Sequence, residues 1–181
     1  MARTLVASDN FNRAALGTTD WTQLTAGITG NVIITSSAVI EGQDTNESCA
    51  VWVGAGTFTD DQYSSLEVLD LSFGSSSYGQ GVICRASTDT DATRDYYFFT
   101  VRADLTGQLG KVVNGTRTLL NTGSVSGIFT SSGTQRVELE CEGTTIRAMR
   151  NGVALGGAWT VTDSALTTGK PGVAPVNNGA G

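Results

Sequence analysis

The stretch Arg136-Val137-Glu138-Leu139-Glu140-Cys141-Glu142 alternates charged and apolar residues without a break, and Thr145-Ile146-Arg147-Ala148-Met149-Arg150 follows it closely. Successive side chains of a β-strand point to opposite faces. The first stretch therefore reads as a half-buried antiparallel strand, with Val137, Leu139 and Cys141 on one face and the acids on the other. Asn151-Gly152 comes next. An Asn-Gly pair supplies the two positive φ angles of a type I′ turn, so the chain returns as a hairpin through residues 153–155. Asn114-Gly115 gives the same signal between residues 111–113 and 116–120. Two such hairpins favour an antiparallel meander.

The same reading extends along the rest of the chain. Strands are expected at 4–8, 21–24, 31–35, 38–41, 48–53, 65–72 and 81–87, then at 96–103, 109–114, 116–121, 135–142, 145–150, 158–162 and 172–176. Each is closed by a cluster of Gly, Asn, Asp or Ser. Tyr96-Tyr97-Phe98-Phe99-Thr100-Val101-Arg102 is apolar on both faces at its start, which predicts a central strand buried between layers. Asp70-Leu71-Ser72-Phe73 is the other candidate for a central position. No long stretch has helical spacing. The expected organisation is one domain over residues 1–176 with a flexible tail at 177–181.

Composition agrees. Of 181 residues, Gly takes 23, Thr 26 and Ser 16, while Pro takes only 2. Many short strands joined by tight turns need such a mixture. The formal charge is -6. A basic stripe for nucleic acid or for an anionic lipid surface is lacking, so neither is an expected partner. There is no histidine. That removes Ser-His-Asp and Cys-His nucleophile systems and every His-containing zinc site. Cys49, Cys84 and Cys141 lack C-x-x-C spacing; three reduced, buried thiols are expected over one disulfide and a spare thiol. The opening Met1-Ala2-Arg3-Thr4-Leu5-Val6-Ala7-Ser8 has no long apolar core, and no run approaches a membrane span. A soluble protein made in a cytoplasm is the expectation.

Four segments in order carry a resemblance. Ser8-Asp9-Asn10-Phe11-Asn12-Arg13 with Leu16-Gly17 and Trp21 forms the opening. Gly79-Gln80-Gly81-Val82-Ile83-Cys84-Arg85 before Tyr96-Tyr97-Phe98 forms a central strand pair. Val137-Glu138-Leu139, Gly143, Arg147 and Asn151-Gly152 form a hairpin. Thr162-Asp163-Ser164 with Thr168-Gly169-Lys170-Pro171-Gly172-Val173 forms the closing segment. Together they resemble the concanavalin-A-like, laminin-G-like jelly-roll modules, of the kind found in bacteriophage virion proteins. The resemblance implies an all-β fold, a two-sheet antiparallel β-sandwich with six or seven strands in each sheet. It implies no activity, because this fold hosts lectins, glycanases, lyases and structural modules.

Three constellations could carry chemistry. Glu138, Glu140 and Glu142 share a strand face about 7 Å apart, a spacing compatible with glycoside hydrolysis. The bland reading, a solvated outer face, is preferred. The glycanases of the resembled fold carry E-x-D-x-x-E, from which Glu-Leu-Glu-Cys-Glu departs. Asp89, Asp91 and Asp95 could donate oxygens to calcium, as could Glu41, Asp44, Asn46 and Glu47; turn formation is the preferred role for both sets, so no cofactor is expected and calcium is held as an alternative. Trp21, Trp52, Trp159, Tyr63, Tyr78, Tyr96 and Tyr97 could present sugar-stacking faces, although a sandwich needs most of its aromatics inside. Tyr78, Trp159, Asn46 and Asp89 are the chosen carbohydrate-binding candidates. Asp9 and Arg13 read as ties to turn backbone, and no catalytic residue is expected.

The sequence-based expectation is a non-catalytic module on a phage virion surface, as capsid decoration or tail-associated protein, with a capsid or tail scaffold and itself as partners. The alternative is a carbohydrate-binding, lectin-like module with a glycan partner. A glycan-cleaving enzyme using the Glu138–Glu142 strand ranks third.

Overall fold

The computed structural model describes residues 5–11, 15–24, 32–35, 39–42, 48–71, 76, 78–87 and 94–177. The strands are β1 (Trp21–Gln23), β2 (Val32–Thr35), β3 (Val39–Gly42), β4 (Ala50–Trp52) and β5 (Gln62–Asp70). The long pair β6 (Tyr78–Ala86) and β7 (Tyr96–Arg102) follows, then β8 (Thr106–Val113), β9 (Thr116–Ser124) and β10 (Ser132–Glu142). The series ends with β11 (Thr145–Arg150), β12 (Val153–Ala154), β13 (Thr160–Thr162), β14 (Lys170–Val173) and β15 (Val176–Asn177). A 3₁₀ turn, Gly157–Trp159, precedes β13.

Two antiparallel sheets stack as a β-sandwich. The larger runs β1-β4-β14-β6-β7-β8-β9, with β15 also pairing β6; the smaller runs β12-β11-β10-β5, with β13 also on β11. Among the described residues, the sheets hold eight and five strands, where six or seven each were expected. The β8–β9 hairpin joins the larger sheet, which accounts for part of the imbalance. β2 and β3 pair as a separate hairpin.

Both expected type I′ turns are present. Asn114 and Gly115 have φ of 50° and 74°, and Asn151 and Gly152 have 50° and 82°. Only Gly adopts such angles freely, with Asn the best-tolerated alternative, so the two dipeptides fix the hairpin registers. Several boundaries differ from expectation. Residues 5–8 form no strand. Of the segment expected to run centrally through 70–73, Asp70 ends β5, which lies at the end of the smaller sheet, and Leu71 N–H bonds the Ser131 carbonyl at 2.9 Å; residues 72 and 73 lie outside the described residues. The strand expected from 158 begins at Thr160, after the 3₁₀ turn.

The main core lies between the sheets. Leu66 and Val68 of β5, Val137, Leu139 and Cys141 of β10, and Ile146 and Ala148 of β11 pack against Val82, Cys84, Tyr97, Phe99, Val101 and Leu109 of the larger sheet. A second apolar cluster, with Val51, Ile83, Tyr96, Phe98 and Val112, occupies the opposite face of the larger sheet. The larger sheet is thus buried on both faces at its centre, which is why β7 reads as a continuous apolar run. All three cysteines are buried free thiols.

Polar ties join the layers. Ser64 Oγ donates to the Gly172 carbonyl at 2.9 Å, and Gln62 Nε2 donates to the Gly169 carbonyl at 2.5 Å. Gln62 Oε1 in turn accepts from Arg85 N–H at 2.9 Å. A buried amide that uses both ends fixes one sheet's offset from the other. Among the described residues, no helix is long and apolar enough to cross a membrane.

Candidate functional site

On one flank, the free edge of β5 lies beside β1, β4 and β14, and a cleft of about 850 Å³ opens there. Its apolar walls come from Phe11, Trp21, Trp52 and Phe58, and its polar groups include Asp60, Asp61, Tyr63, Glu140 and Glu142. Residues 5–9 form part of the rim. This volume falls within the range of small-molecule sites, and mixed apolar walls with a few polar groups are their usual lining.

The aromatic wall is built from paired strands. Trp21 and Trp52 are directly opposite each other on β1 and β4, and their rings meet edge to face at 5.3 Å. Phe11 lies 5.6 Å from Trp21. Asp9 accepts from Trp21 Nε1 at 2.6 Å and from its own turn at Phe11 N–H, 2.7 Å. The expected tie at Asp9 is therefore present, and it orients an indole of the wall; Arg13 lies outside the described residues. Trp21 is 7% exposed, whereas Trp52 is half-buried with its Nε1 on the Ala55 carbonyl at 3.3 Å.

The acidic rim hangs on a buried cation. Arg85 is 2% exposed and has φ of 52°. Its Nε donates to the Asp60 carbonyl at 2.8 Å and its Nη1 to the Leu166 carbonyl at 2.9 Å, with Asp61 Oδ1 at 3.9 Å. Asp61 Oδ1 also accepts from Gly143 N–H at 2.7 Å. Arg85 therefore positions the 60–61 loop at the cleft mouth. Asp60 and Asp61 were not among the sequence-based candidates; the Thr59-Asp60-Asp61 cluster is a local signal that could have found the loop, whereas its anchor is distant in sequence.

The glutamate strand is brought to the same region, and each acid has a partner. Glu140 and Glu142 each accept from Arg147 Nη1 at 2.8 Å. These two bonds raise the Arg147 guanidinium above its ordinary value, Glu142 contributing most. Glu138 is wholly buried although it lies on the outward face. It takes the Tyr63 hydroxyl on Oε1 and Gly152 N–H on Oε2 at 2.5 Å, with Arg136 Nε at 3.5 Å. The triplet is a bonded girder of the small sheet, with Glu140 and Glu142 reaching the cleft.

Of the chosen carbohydrate-binding residues, Tyr78 and Trp159 are described, and neither lines the cleft. Trp159 is 7% exposed and sits edge-on to Phe99 at 5.8 Å, so its place is in the core. Tyr96 and Tyr97 are likewise fully buried. Tyr78 is 36% exposed at the start of β6, away from the residues that line the cleft. Asn46, Asp89 and Asp91 lie outside the described residues, as do Asp44 and Glu47. Asp95 accepts from Asn114 N–H at 2.6 Å and ties the β8–β9 turn to the start of β7. Among the described residues, no group of three potential metal ligands converges.

Solved structures share this architecture. Carbohydrate-binding module CBM66 from Bacillus subtilis superposes with a TM-score of 0.64 at 17% identity, over 86% of this chain and 87% of that one. The chain has the jelly-roll β-sandwich fold. A Bacillus licheniformis β-glucanase shares the jelly roll with a TM-score of 0.60 at 14% identity, covering 95% of this chain and 84% of that one. A Bacteroides ovatus mixed-linkage glucan GH16 protein, solved with its product G4G4G3G, gives 0.58 at 10% identity over 95% and 88%. No family profile and no curated protein matches the chain in sequence. At these identities, the jelly-roll likeness shows the fold alone. Neither the comparisons nor the described structure supports the expected virion surface or its capsid and tail partners.

Proposed function

We propose that the protein is a non-catalytic carbohydrate-binding module whose sugar site is the cleft between the β5 edge and β1, β4 and β14. The observation that carries this reading is the composition of that cleft: the half-buried rings of Trp52, Phe58 and Tyr63 beside the exposed carboxylates of Asp60 and Asp61. A pyranose or furanose ring presents C–H faces to aromatic rings and hydroxyl donors to carboxylates, so both halves of such a lining are used. The jelly-roll likeness to a carbohydrate-binding module and to glucanases supports the reading. The pairing of Glu140 and Glu142 with Arg147 favours holding over cleaving.

The test is affinity electrophoresis and calorimetry with soluble β-glucans, mixed-linkage glucan among them. Wild type should bind at least one of them, and Phe58→Ala and Asp60→Asn should each weaken binding about tenfold, roughly 1.4 kcal/mol, without lowering Tm by more than a degree or two. Release of reducing ends would replace this reading with an enzyme. Binding that neither substitution weakens would move the site elsewhere.

A further inference from the structure

The cleft between the β5 edge and β1, β4 and β14 is acidic as well as aromatic. Among the described residues, its lining includes the carboxylates of Asp9, Asp60, Asp61, Glu140 and Glu142, and no Lys or Arg. Two guanidiniums stand behind this lining. Arg147 is shared by Glu140 and Glu142. Arg85 is buried, spends Nε and Nη1 on the Asp60 and Leu166 carbonyls, and reaches Asp61 Oδ1 only at 3.9 Å. The described lining therefore keeps an excess of negative charge. A cleft lined by one sign of charge between low-dielectric walls focuses the field, so it gathers cations and repels anions.

These carboxylates differ in how far they are already engaged. Asp9 holds Trp21 Nε1 and Phe11 N–H, and Asp61 holds Gly143 N–H. Asp60 is exposed. Arg85 fixes its backbone through the carbonyl, whereas among the described residues its carboxylate has no hydrogen-bond or ion-pair partner. Asp60 is thus a positioned anion in the same cleft as the half-buried rings of Trp52, Phe58 and Tyr63. An aromatic face attracts a cation as well as C–H groups, and a carboxylate bonds an ammonium more strongly than it bonds a neutral donor.

We infer that the cleft selects amino sugars whose amine is free and protonated, as in a de-N-acetylated β-1,4-glucosamine chain, over neutral sugars. The inference rests on the reading of this cleft as the sugar site and adds the charge of the sugar to it. The aromatic wall takes the C–H face of the ring, and Asp60 takes the ammonium group. An N-acetyl group in that position removes the positive charge, and the hydroxyl of glucose is a neutral donor. Neither replaces the ion pair.

The experiment is calorimetry at pH 5.5, in low and in high salt, with three β-1,4-linked hexasaccharides made of glucosamine, N-acetylglucosamine or glucose. Hexalysine serves as a cation without sugar rings. The glucosamine hexamer should bind about tenfold more tightly than either other sugar and than hexalysine, and salt should narrow the gap. Asp60→Asn should cut the preference over the glucose hexamer to about threefold or less, with Tm unchanged because the carboxylate has no partner to lose. Asp60→Lys should reverse the order of the two sugars. Phe58→Ala should weaken all three. Equal binding of the glucosamine and glucose hexamers, or a preference that survives Asp60→Asn, overturns the inference; if Phe58→Ala still weakens the sugars, the cleft reading stands without it. Hexalysine binding as tightly as the glucosamine hexamer also overturns it, in favour of a basic peptide. Sugar binding that Phe58→Ala leaves intact, or no sugar binding at all, removes the cleft reading and this inference together.

Discussion

Tyr97 Oη donates to Asp163 Oδ1 at 2.6 Å, joining β7 of the larger sheet to the segment after β13 of the smaller one. Lys111 Nζ meets Asp163 Oδ2 at 2.5 Å, and Ala165 N–H also bonds Oδ1, at 2.9 Å. Burial pushes the Asp163 carboxyl up, but Lys111, Tyr97 and Ala165 outweigh it and hold the group below its ordinary 3.8. A depressed native value means that this stabilisation is complete above the unfolded value and lost as pH falls through the native one. Asp163→Asn should cost about 2 kcal/mol at pH 7. It should also flatten the acid limb of Tm against pH, measured calorimetrically from pH 2 to 7. An unchanged acid limb would remove Asp163 from this role.

Burial, followed by the Asp163 carboxylate, raises the Tyr97 hydroxyl above its ordinary 10.0. The sign is opposite here: stability is complete below the unfolded value and lost as pH rises through the native one. Tyr97→Phe should therefore remove part of the alkaline destabilisation seen in urea melts between pH 9 and 12.

Glu138 is fully buried and acts as an acceptor only. Removing it takes an acceptor from the Tyr63 hydroxyl and from Gly152 N–H. Glu138→Ala should cost about 3 kcal/mol, and Glu138→Gln less, since the amide oxygen still accepts. Denaturant titration of both variants measures the difference.

Arg147 is the common partner of Glu140 and Glu142, which share a face two residues apart. Arg147→Met leaves two like charges side by side. The expected loss is about 1 kcal/mol, kept small by solvent around Glu142, and salt should partly restore it. A melting series from low to high salt reads this directly.

Burial, followed by its contact with Cys141, raises the Cys84 thiol well above its ordinary value. Only the thiolate reacts readily. Thiol titration with an aromatic disulfide at pH 8 should find almost no reaction in the native protein and three thiols after denaturation. Rapid native labelling at Cys84 or Cys141 would contradict the packing of the core.

The strands and turns were legible because their signals are local. Period-two alternation marks β10, and Asn151-Gly152 and Asn114-Gly115 mark their hairpins within a few residues. The edge position of β5 was not legible, because an apolar run looks the same whether it ends at an edge or crosses a sheet. Trp159 was open to both readings, since an indole has the same composition on a surface as against Phe99. The cleft was legible only in fragments. Trp52 and Tyr63 stood among the aromatic candidates, but their meeting with Asp60 and Phe58 depends on Arg85, which lies in β6.

The sequence by itself determined the class of fold, the positions of its hairpins, and the absence of histidine chemistry; these follow from side-chain periodicity, backbone-angle preferences and the atoms present. Only the tertiary structure decided that Glu138 is enclosed and that Arg147 pairs with both Glu140 and Glu142. Those facts depend on which strands become neighbours, and strand pairing is set by long-range packing that no single segment encodes.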